Sequence, residues 1–329
     1  MGKYFGKKFI IYLATFFVAV TINWFAPRFI PGDPVRTMLA TYTGPSEGRR
    51  ILEQQLRMTF GLEGSLIKQY FTFWGRLLQG DLGRSITQYP RQVIDIVRSN
   101  IIYDVLVLVP AISLSWIVGN KAGAMAGDNK KVDNYVMPFI YALISSPYFW
   151  FAIIVVFIFS HQLGWFPSAQ AHSGGVRPSW NMNFIINVVR HWFLPFFTMF
   201  LITLGQWAIG MRNMIIYEVE SNYAQYMKSL GARQKLVRKY AFRNGVLPQV
   251  TGFAIQMGQI VSGAILVQQV FNYPGLGKLM VSAVYQQDFY LLQGAFLSLI
   301  IMVLIANFLV DIIYMFIDPR VRVSYTEEG

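Results

Sequence analysis

The sequence predicts an all-α integral membrane protein with six transmembrane helices, and three observations predict it. The composition is 54% hydrophobic and 16% aromatic with only 13% charged residues, about half the charged share of an ordinary globular chain. The apolar residues gather into long runs, as a bilayer requires, and the mean hydropathy is +0.42. Most of the basic residues sit in the intervals between those runs, alternating in a way that keeps both termini on the cytoplasmic side. The net charge of +12 is spread over membrane-flanking loops with no single basic domain, so it does not indicate nucleic acid. The absence of cysteine excludes disulfides, thiolate catalysis and cysteine metal sites within the chain.

The first span is Phe9–Ala26, eighteen mostly apolar residues behind Lys3, Lys7 and Lys8, near the minimum for a spanning helix. It ends Trp24-Phe25-Ala26-Pro27-Arg28, unlike the small-residue site of a cleaved leader, and so reads as an uncleaved span closing the segment 1–26. Residues 27–100 form a polar interval. They hold ten Lys/Arg from Arg28 to Arg98, which long translocated loops tolerate. Helical patterns at Arg49–Thr59 and Ile67–Leu78 predict a small, mainly helical external subdomain that could receive a soluble delivery protein; a plain spacer is the simpler alternative.

Residues 101–329 hold the other five spans. Ile101–Gly119 is the second; Val136–Ser160 is the third, kinked by Pro138 and Pro147. An external loop rich in Gly, Pro, Ser and Trp, 161–190, leads to the fourth, Trp192–Met211. The fifth, Val246–Phe271, carries Gln249, Gly252, Gln256, Gln259 and Gly263 at steps of three and four, one amide and glycine stripe on a single helix face. Unsatisfied amides are costly in lipid, so the stripe lines a translocation path or packs between helices. Leu291–Ile317 is the sixth, with Asp311 near its inner end, an expensive residue that is functional or hydrogen-bonded.

Between the fourth and fifth spans lies a basic cytoplasmic loop, 212–245, with seven Lys/Arg against Glu218 and Glu220. Within it Tyr223, Tyr226, Met227 and Leu230 recur at helical steps as one apolar stripe, alongside Lys228 and Ser229, and Gly231-Ala232 follow where a helix ends in a left-handed residue. Such a helix hung between two spans can be pushed by a soluble partner; a solvated loop is the bland alternative. A second helical run, Gln234–Phe242, precedes a turn expected at Asn244-Gly245-Val246-Leu247-Pro248.

No stretch carries enzyme chemistry. Gly275-Leu276-Gly277-Lys278 lacks both the first glycine and the Ser/Thr of a phosphate-binding loop. His161, His172 and His191 have no metal-ligand spacing, and Asp33 and Asp81 sit in turns where a carboxylate accepts backbone hydrogen bonds.

Taken in order, Arg28-Phe29-Ile30-Pro31-Gly32-Asp33-Pro34-Val35, Phe60-Gly61-Leu62, Gly80-Asp81-Leu82-Gly83-Arg84-Ser85, Gly231 with Leu247-Pro248, Tyr273-Pro274-Gly275-Leu276-Gly277 and Asp318-Pro319-Arg320-Val321-Arg322 cover nearly the whole chain. Together they resemble ABC importer permeases of the dipeptide and oligopeptide family, B-type subunit. Where that family's loop signature begins Glu-Ala-Ala, this chain has Gln225-Tyr226-Met227. The resemblance implies the type I ABC importer permease fold in a prokaryotic cell membrane, paired with a homologous second permease. It also implies two cytoplasmic ATP-binding subunits holding the ATP and magnesium, no cofactor in this chain, and an external solute-binding protein. Tyr223, Tyr226, Met227, Lys228, Ser229, Leu230, Gly231 and Ala232 would then couple to the ATPase. Peptides are the implied solute. Similar permeases carry oligosaccharides or nickel, the latter disfavoured by the lack of a histidine-rich path. An intramembrane enzyme is the reading from another class, and the spans supply no His/Ser or paired-Asp arrangement for it.

Overall fold

The computed structural model describes residues 2–29, 35, 39, 44–59, 64–176 and 178–317, leaving out the side chains of 2–5, 7, 59, 251, 254–260, 262 and 313–317. Ile30-Pro31-Gly32-Asp33-Pro34, Phe60-Gly61-Leu62 and Asp318-Pro319-Arg320-Val321-Arg322 therefore lie outside the described residues. Those described are mostly helical, with an isolated Arg84–Gln92 bridge as the sole strand-like pairing among them. The helices are α1 (Gly2–Phe25), α2 (Ser46–Thr59), α3 (Leu66–Leu78), α4 (Val93–Asp128), α5 (Lys130–Ser145), α6 (Tyr148–Val156), α7 (Met182–Glu220), α8 (Asn222–Ser229), α9 (Gln234–Val270), α10 (Leu276–Tyr285) and α11 (Phe289–Ile317).

Among the described residues four runs are long and apolar enough to cross a membrane: Lys8–Phe29, Val93–Asp128, Met182–Glu220 and Phe289–Ile312. The third expected span is a bent pair, Lys130–Ser145 and Tyr148–Gln162, with 107° between its halves. Pro147 explains the bend: its ring disfavours helical backbone at the preceding residue, and Ser146 is extended at φ −87°, ψ 127°. Pro138 lies inside α5. The expected fifth span falls within the 37 residues of α9, whose glutamines lower its apolarity.

The chain divides into two compact units, residues 1–102 with 275–304 and residues 103–274 with 305–329. In the first, Trp24 is buried and meets Tyr70 of α3 edge to face at 5.2 Å. Asn23 Nδ2 donates to the Gln293 carbonyl at 3.0 Å, tying α1 to α11. Leu56, Ile86, Val35 and Leu39 form a small core beneath α2. Asp288 caps α11: its Oδ1 accepts from the Leu291 N–H at 3.1 Å, while its Oδ2 accepts from the Thr87 N–H at 3.0 Å, the Thr87 hydroxyl at 2.9 Å and the Ser85 hydroxyl. Asp288 and Ser85 are fully buried, so Asp288→Ala strands several donors. The expected cost is about 3 kcal/mol, read as a fall in unfolding temperature in detergent, with Asp288→Asn recovering part of it.

In the second unit the decisive feature is a row of glycines. Gly119, Gly123 and Gly127 of α4 lie so close to α7 that a Cβ on each would meet the carbonyl oxygens of Leu204, Ala208 and Arg212 at 2.7, 2.1 and 2.8 Å. Both sets advance by four residues in the same direction, so α4 and α7 run parallel with their backbones in contact. Helix α9 runs antiparallel to α7: Gly245 faces Met214 and Met211, Gln249 faces Gly210, and Phe253 stacks on Trp207 at 5.6 Å. Above them, Phe159, Phe193, Phe196, Phe197 and Phe200 form a ladder of rings.

Candidate functional site

The expected loop 212–245 is mostly helix. α7 extends to Glu220 and α9 starts at Gln234, so the eight residues of α8 are held by two short breaks between much longer rods. The turn expected at Asn244–Pro248 does not form, since α9 runs through it. Gly245 serves packing instead: a Cβ there would come 3.1 Å from Met214 Cβ, and beside it Met211, Ile215 and Ala241 make the buried contact of α7 with α9.

Each end of α8 has an identifiable cause. Ser221 is extended at φ −64°, ψ 156° and its hydroxyl donates to the Glu218 carbonyl at 2.6 Å, which breaks α7 and starts a new axis. At the other end the Ala232 N–H reaches the Met227 carbonyl and the Gly231 N–H the Lys228 carbonyl, both at 3.0 Å. Gly231 takes φ +79°. This is the paired closure that a left-handed residue permits, and it satisfies carbonyls that would otherwise be orphaned.

The expected stripe divides in two. Tyr223 and Met227 are half-buried against the body of the protein, and Ala224 is fully buried. Tyr226 and Leu230, one helical turn apart, are 66% and 69% exposed and form an unpartnered ridge. Lys228 Nζ donates to the Val219 carbonyl at 3.0 Å and the Ser229 hydroxyl to the Tyr226 carbonyl at 2.8 Å, so both fasten the helix locally.

One carboxylate links the three helices. Glu218 on α7 accepts from the Tyr223 hydroxyl of α8 at 2.7 Å and from Asn244 Nδ2 of α9 at 3.3 Å, both on Oε2. Burial pushes the Tyr223 phenol up, and its hydrogen bond to Glu218 pushes it further, which keeps it a neutral donor. Arg238 of α9 pairs with Asp128 of α4, and Arg212 of α7 makes a two-pronged contact with Asp133 of α5, 2.6 Å between Nη2 and Oδ2. A displacement of α8 therefore reaches α7 and α9 together.

Of the glycine and glutamine stripe on α9, Gln249 is buried on the bare backbone of Gly210, and Gly263 is buried under the Tyr148 ring, where a Cβ would meet Cε1 at 2.7 Å. Gly252 is half-buried with open space where a Cβ would stand. The side chains of Gln256 and Gln259 lie outside the described residues. The sequence showed Glu218 only as a countercharge and Asn244 only as part of a turn, and the three α4 glycines went unread; the four-residue spacing of Gly119, Gly123 and Gly127 was the signal available for the last.

Comparison with known proteins agrees with this architecture. The chain is 28% identical over 350 residues to the di/tripeptide transport system permease protein DppB of Pseudomonas aeruginosa (strain UCBPP-PA14), covering 98% of this chain and 99% of that protein. It is 24% identical to the oligopeptide transport system permease protein AppB of Bacillus subtilis (strain 168), over 98% of this chain and 100% of that one. It is 27% identical to the glutathione transport system permease protein GsiC of Escherichia coli (strain K12), over 98% and 99%. Residues 119–323, more than half the chain, match the family described as the binding-protein-dependent transport system inner membrane component, and the chain belongs to that family.

Proposed function

We propose that the chain is one transmembrane subunit of an ABC importer for di- or oligopeptides, paired with a homologous permease. Two cytoplasmic ATPase subunits drive it and an external solute-binding protein supplies it. The peptide assignment is supported by the names of the relatives, which are di/tripeptide, oligopeptide and glutathione permeases; none of these names favours an oligosaccharide or nickel. On this reading α1, α4, the α5–α6 pair, α7, α9 and α11 are the six spans of a prokaryotic cell-membrane protein with both termini cytoplasmic. The chain does no catalysis of its own, since ATP and magnesium belong to the partner subunits.

One observation carries the reading. Helix α8 presents Tyr226 and Leu230 outward while Glu218 binds it to α7 and α9 at its root. An ATPase surface holding that ridge moves α8 as the nucleotide-binding pair closes, and the rigid α7 and α9 transmit the displacement through the bilayer. Gly252 is the described member of the α9 stripe with open space beside it for a translocation path; Gln249 and Gly263 support it from packed positions.

The test is reconstitution of the four-subunit complex in proteoliposomes with its binding protein. ATP hydrolysis should rise several-fold when the binding protein carries a peptide, with matching uptake of labelled peptide. Stimulation by an oligosaccharide-loaded binding protein alone would overturn the solute, and turnover by the isolated chain would overturn the transport role.

A further inference from the structure

Helix α3 falls within the expected external subdomain, yet its contacts follow α1 back along Lys8–Phe29, a run long and apolar enough to cross a membrane. Gln69 Oε1 accepts from Arg28 at 3.4 Å. One step on, the Tyr70 hydroxyl bonds the Thr21 hydroxyl at 2.8 Å and its ring meets Trp24. A full turn further, Trp74 stacks on Phe17 at 5.2 Å and meets Phe16 edge-on at 6.4 Å. As α3 advances the partners on α1 recede, so the two helices run side by side in opposite directions. Phe17 lies eight residues back from Phe25, about 12 Å at 1.5 Å per residue, which is within the ~15 Å thickness of one leaflet's share of the hydrocarbon core.

The outer side of α3 matches that setting. None of its residues is buried, and Ile67, Phe71 and Leu78 stand on one flank, 70%, 66% and 84% exposed. This flank continues the exposed apolar side of α1, formed by Leu13, Phe17, Val18 and Ile22, with the Phe17–Trp74 stack as the joint. Two of the polar groups are satisfied locally or turned to the other flank, and the exposed Lys68 stands in the first turn. The Thr72 hydroxyl donates to the Lys68 carbonyl at 2.8 Å, and Arg76 lines a cavity with Gln69, Asp81, Tyr290 and Gln293 on the opposite flank. Ser65 caps the first turn, accepting from the Lys68 N–H at 3.3 Å, so the helix starts at head-group level beside Arg28.

We propose that α3 dips into the bilayer from its outer face, with Ile67, Phe71 and Leu78 in contact with phospholipid acyl chains. A water-borne partner cannot reach a ridge level with the spanning part of α1, and an apolar ridge there needs no partner but lipid. The subdomain is thereby moored to the membrane by its own helix, and α1 and α3 move as a pair.

The chain has no native cysteine, so single cysteines at 67, 71 and 78 are its only labelling sites, and nitroxide bound by the other subunits is subtracted with the unsubstituted complex. In the full chain, isolated with its co-purifying subunits and placed in phosphatidylcholine nanodiscs, the ratio of oxygen to nickel-complex collisions should match that of Val18→Cys. It should exceed that of Glu47→Cys, on the water-exposed start of α2, several-fold. Ratios at all three positions equal to the Glu47→Cys value would overturn the proposal, as would protection from both reagents, which would mean a protein covers the ridge.

Discussion

Gly123→Val is expected to prevent α4 and α7 from closing on each other and to cost the chain its folded state. A Cβ at Gly123 would stand 2.1 Å from the Ala208 carbonyl oxygen, with the Ala208 carbonyl carbon and Cα at 2.9 and 3.0 Å. These are backbone atoms within a helix, so no rotamer change relieves the clash and the two rods must part. Overpacking of an adaptable core costs about 1–3 kcal/mol; here Gly119 and Gly127, one turn to either side, lose their contact as well, and the expected loss is above about 3 kcal/mol. The measurement is unfolding temperature in detergent together with recovery of monodisperse protein. Gly252→Ala is the matched control. It lies in a helix with nothing within 4 Å of the new methyl group, and alanine is the better helix former, so stability should be unchanged or higher by less than about 1 kcal/mol. A Gly123→Val protein as stable as that control would show that the glycine row does not hold the helices together.

The contrast between Gly231 and Gly245 shows how far the sequence could be read. Gly231 follows an amphipathic run, where a left-handed closing residue is the usual end of a helix, and it takes φ +79° as expected. Gly245 follows Asn244 and precedes Pro248, a combination that equally denotes a turn. Its actual use depends on Met214 of another helix, and no local pattern encodes a neighbour. Pro147 was legible because its effect on Ser146 is local, though the 107° angle was not. The α9 stripe was legible as a face, but only the packed structure separates Gln249 and Gly263, which meet Gly210 and Tyr148, from Gly252 between them. Helix α3 was readable as amphipathic; the level along α1 at which its apolar side stands is set by Trp74 finding Phe17. Long-range contacts of this kind carry no periodicity.

Replacing Tyr226 and Leu230 together with aspartate is expected to reduce ATP-coupled uptake to background while leaving the chain folded. Both side chains are about two-thirds exposed, and the bonds that seat α8 come from other residues: Tyr223 to Glu218, Lys228 to Val219, and the closure at Gly231. The substitutions therefore remove the outward ridge and put two charges in its place without touching the root. Truncating an aromatic anchor at the centre of an interface costs roughly 2–4 kcal/mol, so losing Tyr226 together with Leu230 and burying unpaired charge is expected to weaken ATPase binding by more than about a hundredfold. Gly231→Val separates the ridge from the geometry that aims it. No atom lies within 4 Å of the added Cβ, so the cost is confined to forcing a branched residue into the left-handed region, about 1–2 kcal/mol. That penalty frays the last turn carrying Leu230 and should lower coupling only partially. The two variants, assayed for ATPase co-purification and for uptake in proteoliposomes, should rank in that order with unfolding temperatures near the parent's. Full uptake by the double aspartate variant would mean that α8 is a connector and that force enters the bilayer elsewhere.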